Sequence, residues 1–135
     1  MKKITLLLFL LACVATVWTQ ALASNYSLAN MLKGAAFSWS QTTFDFGKIK
    51  QNEPVTNTFE FVNTGSEPLV ISSVKASCGC TVTEYSKDPI TPGGKGFVKG
   101  TYNAAKVGQF TKSITVNANT EEAVVQLTIK GEVTE

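Results

Sequence analysis

Over most of its length the chain alternates apolar and polar residues with a period of two, and clusters of Gly, Pro, Asn and Ser break the alternation every roughly 8–12 residues. The last run is the clearest: Val125, Leu127, Ile129 and Val133 alternate with Gln126, Thr128, Lys130 and Glu132, and Gly131 takes one position on the apolar side. Val55, Phe59 and Phe61 likewise share a face opposite Thr56, Thr58 and Glu60, which predicts a half-buried strand over 55–62. Another strand is expected around Phe44-Asp45-Phe46, ended by Gly47 and preceded by Phe37-Ser38-Trp39. Phe97, Val98 and Tyr102 mark a further strand, as do Phe110, Ile114 and Val116.

The interruptions carry information of their own. Asn63-Thr64-Gly65-Ser66 reads as a tight turn in which Asn or Gly supplies a left-handed conformation. Leu69 and Ile71 resume the core face, but from Val74 onward the apolar positions become even-numbered, so a bulge or a crossing between sheets is expected at Ser72-Ser73. Pro92-Gly93-Gly94-Lys95-Gly96 lacks the spacing of a phosphate loop and precedes a strand, so it reads as a turn. The whole predicts an all-β protein, an immunoglobulin-like antiparallel β-sandwich of about seven strands, with a small closed barrel as the alternative.

The N-terminal end departs from this pattern. Lys2 and Lys3 precede an apolar run from Ile4 to Trp18, and Ala21-Leu22-Ala23 offers small residues where a signal peptidase reads, so residues 1–23 are expected to be a signal peptide cleaved between Ala23 and Ser24. Leu10-Leu11-Ala12-Cys13 approximates a lipobox, and the alternative is a chain anchored through acylated Cys13; the apolar run continuing past the cysteine argues against it. Residues 24–36 form a leader arm in which Leu28, Met31 and Leu32 recur at helical spacing before Gly34, and the sandwich is expected over 37–135. No later segment has the roughly 18 apolar residues of a membrane span.

Composition then narrows the chemistry. Without Lys2 and Lys3, ten lysines balance ten carboxylates, so the expected mature chain is neutral and offers no electrostatic footprint for nucleic acid. There is no histidine and no arginine, which excludes Ser-His and Cys-His nucleophile pairs, imidazole metal ligands and bidentate phosphate clamps. Asn117, Asn119 and Glu121 alternate oxygen ligands but lack the glycine and terminal glutamate of a calcium loop. No cofactor is expected.

Phe44-Asp45-Phe46-Gly47-Lys48-Ile49, Phe59 through Leu69 with its Asn-Thr-Gly turn, Cys78-Gly79-Cys80-Thr81 and Pro92-Gly93 resemble a family of secreted bacterial proteins known only as a domain of unknown function, itself similar to Hydin-type immunoglobulin-like domains. The resemblance spans Phe44 to Val133. It implies a β-sandwich exported across a bacterial inner membrane and brings no reaction with it. Phe44 departs from the family, where a polar residue such as histidine is common.

Cys78 and Cys80 admit three readings. Val74, Ala76, Cys78, Cys80 and Val82 form one apolar face, so both thiols could fill a core strand. A disulfide is natural for an exported chain with two mature cysteines, although an extended strand would hold the Cα atoms about 6.6 Å apart, at the limit for a bridge. A soft-metal site would lack further ligands, since Met31 is the only mature thioether. The expected function is accordingly a monomeric, non-catalytic module binding another envelope or secreted protein through an edge strand or loop surface. The alternative is a thiol redox or metal-handling protein acting through Cys78 and Cys80.

Overall fold

The computed structural model describes residues 34–135; the expected signal peptide, its Ala23-Ser24 cleavage site, Cys13 and the leader arm up to residue 33 lie outside the described residues. Eight strands follow in order: β1 (Phe37–Trp39), β2 (Thr43–Lys50), β3 (Val55–Asn63), β4 (Ile71–Ala76), β5 (Thr81–Tyr85), β6 (Lys95–Tyr102), β7 (Gly108–Ala118) and β8 (Val124–Thr134). They build two four-stranded sheets, β1-β3-β6-β5 and β2-β8-β7-β4. The protein is therefore all-β and has the layered sheets of an immunoglobulin-like sandwich, not a closed barrel.

One pair departs from the antiparallel expectation: β2 runs parallel to β8. Strands β1 and β2 are separated only by Ser40, Gln41 and Thr42, so the chain changes sheets without reversing direction. Gly47 does not end the strand either. It sits in a bulge between Asp45 and Lys48 with φ +66°, and its N–H donates to Asp45 Oδ1 at 2.8 Å. The inward Gly131 of β8 has a matching reason, since a Cβ there would lie 2.9 Å from both the Gly47 carbonyl oxygen and the Phe110 ring.

Between the sheets lie Phe59, Phe61, Leu69, Val98, Ile114, Val116, Leu127, Ile129 and Val133, all essentially inaccessible to solvent. The period-two expectation holds closely in β3 and β8, where the inward positions are those that the alternation picked out. Tyr102 and Phe110 stack across the two sheets with centroids 4.0 Å apart. The phase change at Ser72-Ser73 is a bulge, seen as a register shift between Ile71 and Ser73 against β7.

The Asn63–Ser66 turn works differently from its sequence reading. Neither Asn63 nor Gly65 has a positive φ. Asn63 is fully buried and its amide holds three segments together: Oδ1 accepts the N–H groups of Ala36 (3.3 Å) and Gly65 (3.0 Å), while Nδ2 donates to the carbonyls of Glu67 (2.8 Å) and Ile90 (2.9 Å). Gly65 is required for close approach, because a Cβ would collide with the Gly34 carbonyl and sit 2.8 Å from the Ala35 Cα. Ser66 and Thr64 donate backbone bonds to Gly34 and Ala36, and Ala35 is only 3% exposed. Residues 34–36, placed in the leader arm by the sequence, thus pack as part of the sandwich.

Candidate functional site

Cys78 and Cys80 occupy a turn. Strand β4 ends at Ala76 in one sheet and β5 begins at Thr81 in the other, so Ser77–Cys80 is where the chain crosses between sheets. The single apolar face expected from Val74 to Val82 is broken there, and Val82 is 69% exposed. Gly79 lies at the exposed tip of this turn, where a Cβ would meet nothing within 4 Å. The bend shortens the cysteine Cα–Cα distance to 5.4 Å, within the range for a bridge, and the two sulfurs form a disulfide.

The turn has supports besides that bond. Ser77 donates its backbone N–H to Ser113 O at 2.8 Å and accepts the Ser113 N–H on its hydroxyl at 3.2 Å. Thr81 N–H reaches Cys78 O at 3.3 Å, and Asn103 N–H reaches Cys80 O at 3.1 Å. Cys80 packs against the core cluster, and the Sγ of Cys78 lies 3.9 Å from the Thr81 hydroxyl. A three-residue ring constrains little of the unfolded chain, so by chain entropy the disulfide contributes only about 1.5 kcal/mol.

Strand β5, which the turn launches, is an edge. Because Asn103 N–H bonds Cys80 O and Ser86 N–H bonds Phe97 O, the antiparallel alternation directs the backbone groups of Val82 and Glu84 to β6 and those of Thr83 and Tyr85 outward. The other terminal strands carry the features that blunt edges. Strand β1 has only three residues, β2 is bulged and bears Lys48 and Lys50, and β4 is bulged and bears Lys75. Strand β5 pairs with β6 in unbroken register and contains neither lysine nor proline. Its end opens on a depression of about 500 Å³ lined by Tyr85, Ser86, Pro89, Ile90 and Phe97, where the Lys87 ammonium sits 3.6 Å from the Tyr85 ring centroid.

Sequence reasoning named the cysteines but missed this edge, because register with β6 cannot be read from β5 alone. The absence of lysine and proline between Thr81 and Tyr85 was the available signal. Asn119, weighed and set aside as a calcium ligand, proves to be a loop anchor: its Oδ1 accepts the Val70 N–H at 2.8 Å and its Nδ2 donates to Pro68 O at 3.0 Å.

Two stacked four-stranded sheets define an immunoglobulin-like β-sandwich, a fold shared by several solved structures. The chain is similar to a protein of unknown function from Porphyromonas gingivalis W83 (TM-score 0.66, 19% identity, 76% of this chain and 48% of that one). It is also similar to the ASH/PapD-like domain 7 of human CEP192 (TM-score 0.61, 10% identity, 73% and 85%). A third is the secreted serine protease VesC from Vibrio cholerae (TM-score 0.53, 12% identity, 78% and 24%). At these identities the likeness concerns fold, and the chain spans about half the length of the Porphyromonas protein. Residues 37–133 match the family described as "Protein of unknown function (DUF1573)", and the chain belongs to that family. Comparison with curated proteins gives no match.

Proposed function

We propose that the protein is an exported, non-catalytic immunoglobulin-like module that docks an extended segment of another envelope or secreted protein onto the free edge of β5. The observation that carries this reading is the contrast among edges: three terminal strands are short or bulged and lysine-bearing, while β5 is regular and unprotected. An incoming strand would bond to the outward groups of Thr83 and Tyr85, and the depression beyond Tyr85 would receive a side chain from it. Backbone pairing needs neither arginine nor a charged patch, in keeping with a neutral mature chain.

Export belongs to the same reading and rests on the leader: the lysine pair, the apolar run and Ala21-Leu22-Ala23. Intact mass of the protein recovered from its envelope should correspond to a chain starting at Ser24, and a lipid adduct on Cys13 would replace cleavage after Ala23 by anchoring of the exported chain.

Docking is tested with Thr83→Pro. The Thr83 N–H points away from β6, so proline removes a docking donor and leaves the internal ladder intact. After cross-linking in the envelope, the variant should recover its partner at least tenfold less than wild type, with an unchanged circular dichroism spectrum and melting temperature. Equal recovery of the same partner would overturn the docking edge. A concentration-dependent dimer abolished by Thr83→Pro would instead make a second copy of the chain the occupant.

A further inference from the structure

The Cys78–Cys80 bond closes its ring across a single residue, at the exposed crossing between two sheets, and both ends of that crossing are held by hydrogen bonds that do not involve sulfur. The fold therefore gains little from the bond. By thermodynamic linkage, a disulfide that does little for the fold is one that the fold does little to protect from reduction. Small-ring, accessible disulfides lie on the labile, oxidising side of the scale, whereas structural ones resist reduction. The turn also opens on solvent: Gly79 is exposed, and nothing lies within 4 Å of where its Cβ would be.

We propose that Cys78-Gly79-Cys80 is a thiol–disulfide exchange site whose substrate is a peptide or protein dithiol. One substrate thiolate attacks the Sγ of Cys78, the cysteine that does not pack against the core, while Cys80 does. A substrate–Cys78 disulfide forms, the Cys78–Cys80 bond breaks, and Cys80 leaves as a thiolate that takes a proton from water. The second substrate thiolate then attacks its neighbouring sulfur in the mixed disulfide. The substrate disulfide closes, and Cys78 leaves as a thiolate and is protonated in turn. In balance, two electrons pass from the dithiol to the protein, the two protons that the substrate thiols gave up to water are matched by the two that the cysteines take from it, the substrate is oxidised and the cysteine pair reduced. No histidine or other base of the protein is needed, because the nucleophile arrives as a thiolate. The Thr81 hydroxyl, 3.9 Å from the Cys78 Sγ, is placed to donate to the sulfur when it is released. This inference stands apart from docking at β5, since exchange with a small dithiol requires no strand pairing.

The experiment uses the oxidised mature protein and a synthetic peptide bearing two cysteines, mixed in equal amounts, quenched with acid, alkylated and weighed intact. The peptide should gain a disulfide mole for mole as Cys78 and Cys80 become alkylatable, while the β-sheet circular dichroism of the protein persists. The rate should lie within about tenfold of that for the free, oxidised peptide Ser-Cys-Gly-Cys-Thr, which reports the unprotected bond whether or not any variant folds. In a second arm, Cys80→Ala with Cys78 as its sole thiol should trap at least tenfold more mixed disulfide with the oxidised peptide than Cys78→Ala does. Exchange more than tenfold slower than the free peptide, thiols that appear only in denaturant, or loss of the sheet spectrum on reduction would each overturn the proposal.

Discussion

Replacing Asn63 by alanine removes four side-chain hydrogen bonds from a residue with no solvent exposure. At about 1 kcal/mol net for each bond the loss would reach about 4 kcal/mol. The structure moderates this figure. The Ile90 carbonyl keeps a second partner in the Leu69 N–H at 2.8 Å, and Gly65 and Glu67 lie close enough to the surface for water to reach. A loss of about 3 kcal/mol follows, which lowers the melting temperature by roughly 12–24 °C and leaves a domain of ordinary stability still folded at 25 °C. Urea unfolding should be followed by circular dichroism and by Trp39 fluorescence. Trp39 reports locally, since it sits in β1, just after the Ala36 amide that Asn63 anchors. Coincident transitions at the two probes would show that the strap and the sheets unfold together. Thr64→Ala, at the exposed neighbour, should change stability by less than about 0.5 kcal/mol. A loss under 1 kcal/mol for Asn63→Ala would refute the view that this amide ties β1, the β3–β4 turn and the loop before β6 together.

Three other perturbations test separate parts of the structure. Gly131→Ala forces a methyl group against the Gly47 carbonyl and the Phe110 ring and should cost about 1–3 kcal/mol in urea unfolding, whereas an unchanged midpoint would mean that the β2 bulge yields freely. Val82→Ser should alter stability by no more than about 0.5 kcal/mol because the side chain is 69% exposed; a cost of 1.5–3 kcal/mol, as for a buried valine, would restore Val82 to the core. Replacing Cys78 and Cys80 together by alanine should cost no more than about 1.5 kcal/mol at the denaturation midpoint, and failure to fold would show the disulfide to be a main support of the sandwich.

What could be read in the sequence was whatever repeats locally. The alternation in β3 and β8 exposed their inward faces, because one side of each strand meets a core and the other meets water. The slip at Ser72-Ser73 was visible because a bulge shifts every later side chain to the other phase. From Val74 to Val82 the same logic misled: the inward positions pass from Val74 and Ala76 in β4 to Thr81 and Thr83 in β5, while the outward Val82 continues the even-numbered apolar series, so two strands in different sheets look like one. The parallel pairing of β2 with β8 and the regular β5 edge were hidden, since both depend on partners more than ten residues away along the chain. Asn63 and Gly65 were noticed as turn residues, but their work, bonding and clearing space for residues 34–36, is set by a segment that the alternation did not reach.

Backbone amide exchange at β5 reads out its free edge, and the filling of that edge by the proposed partner strand, residue by residue. In the free mature protein the amides of Val82 and Glu84, bonded to β6, should exchange slowly while those of Thr83 and Tyr85 exchange fast. In the complex recovered from the envelope, Thr83 and Tyr85 should slow by at least tenfold with Val82 and Glu84 unchanged. Thr83 and Tyr85 amides that are already slow in the free protein, or that exchange equally fast when the partner is bound, would contradict the account.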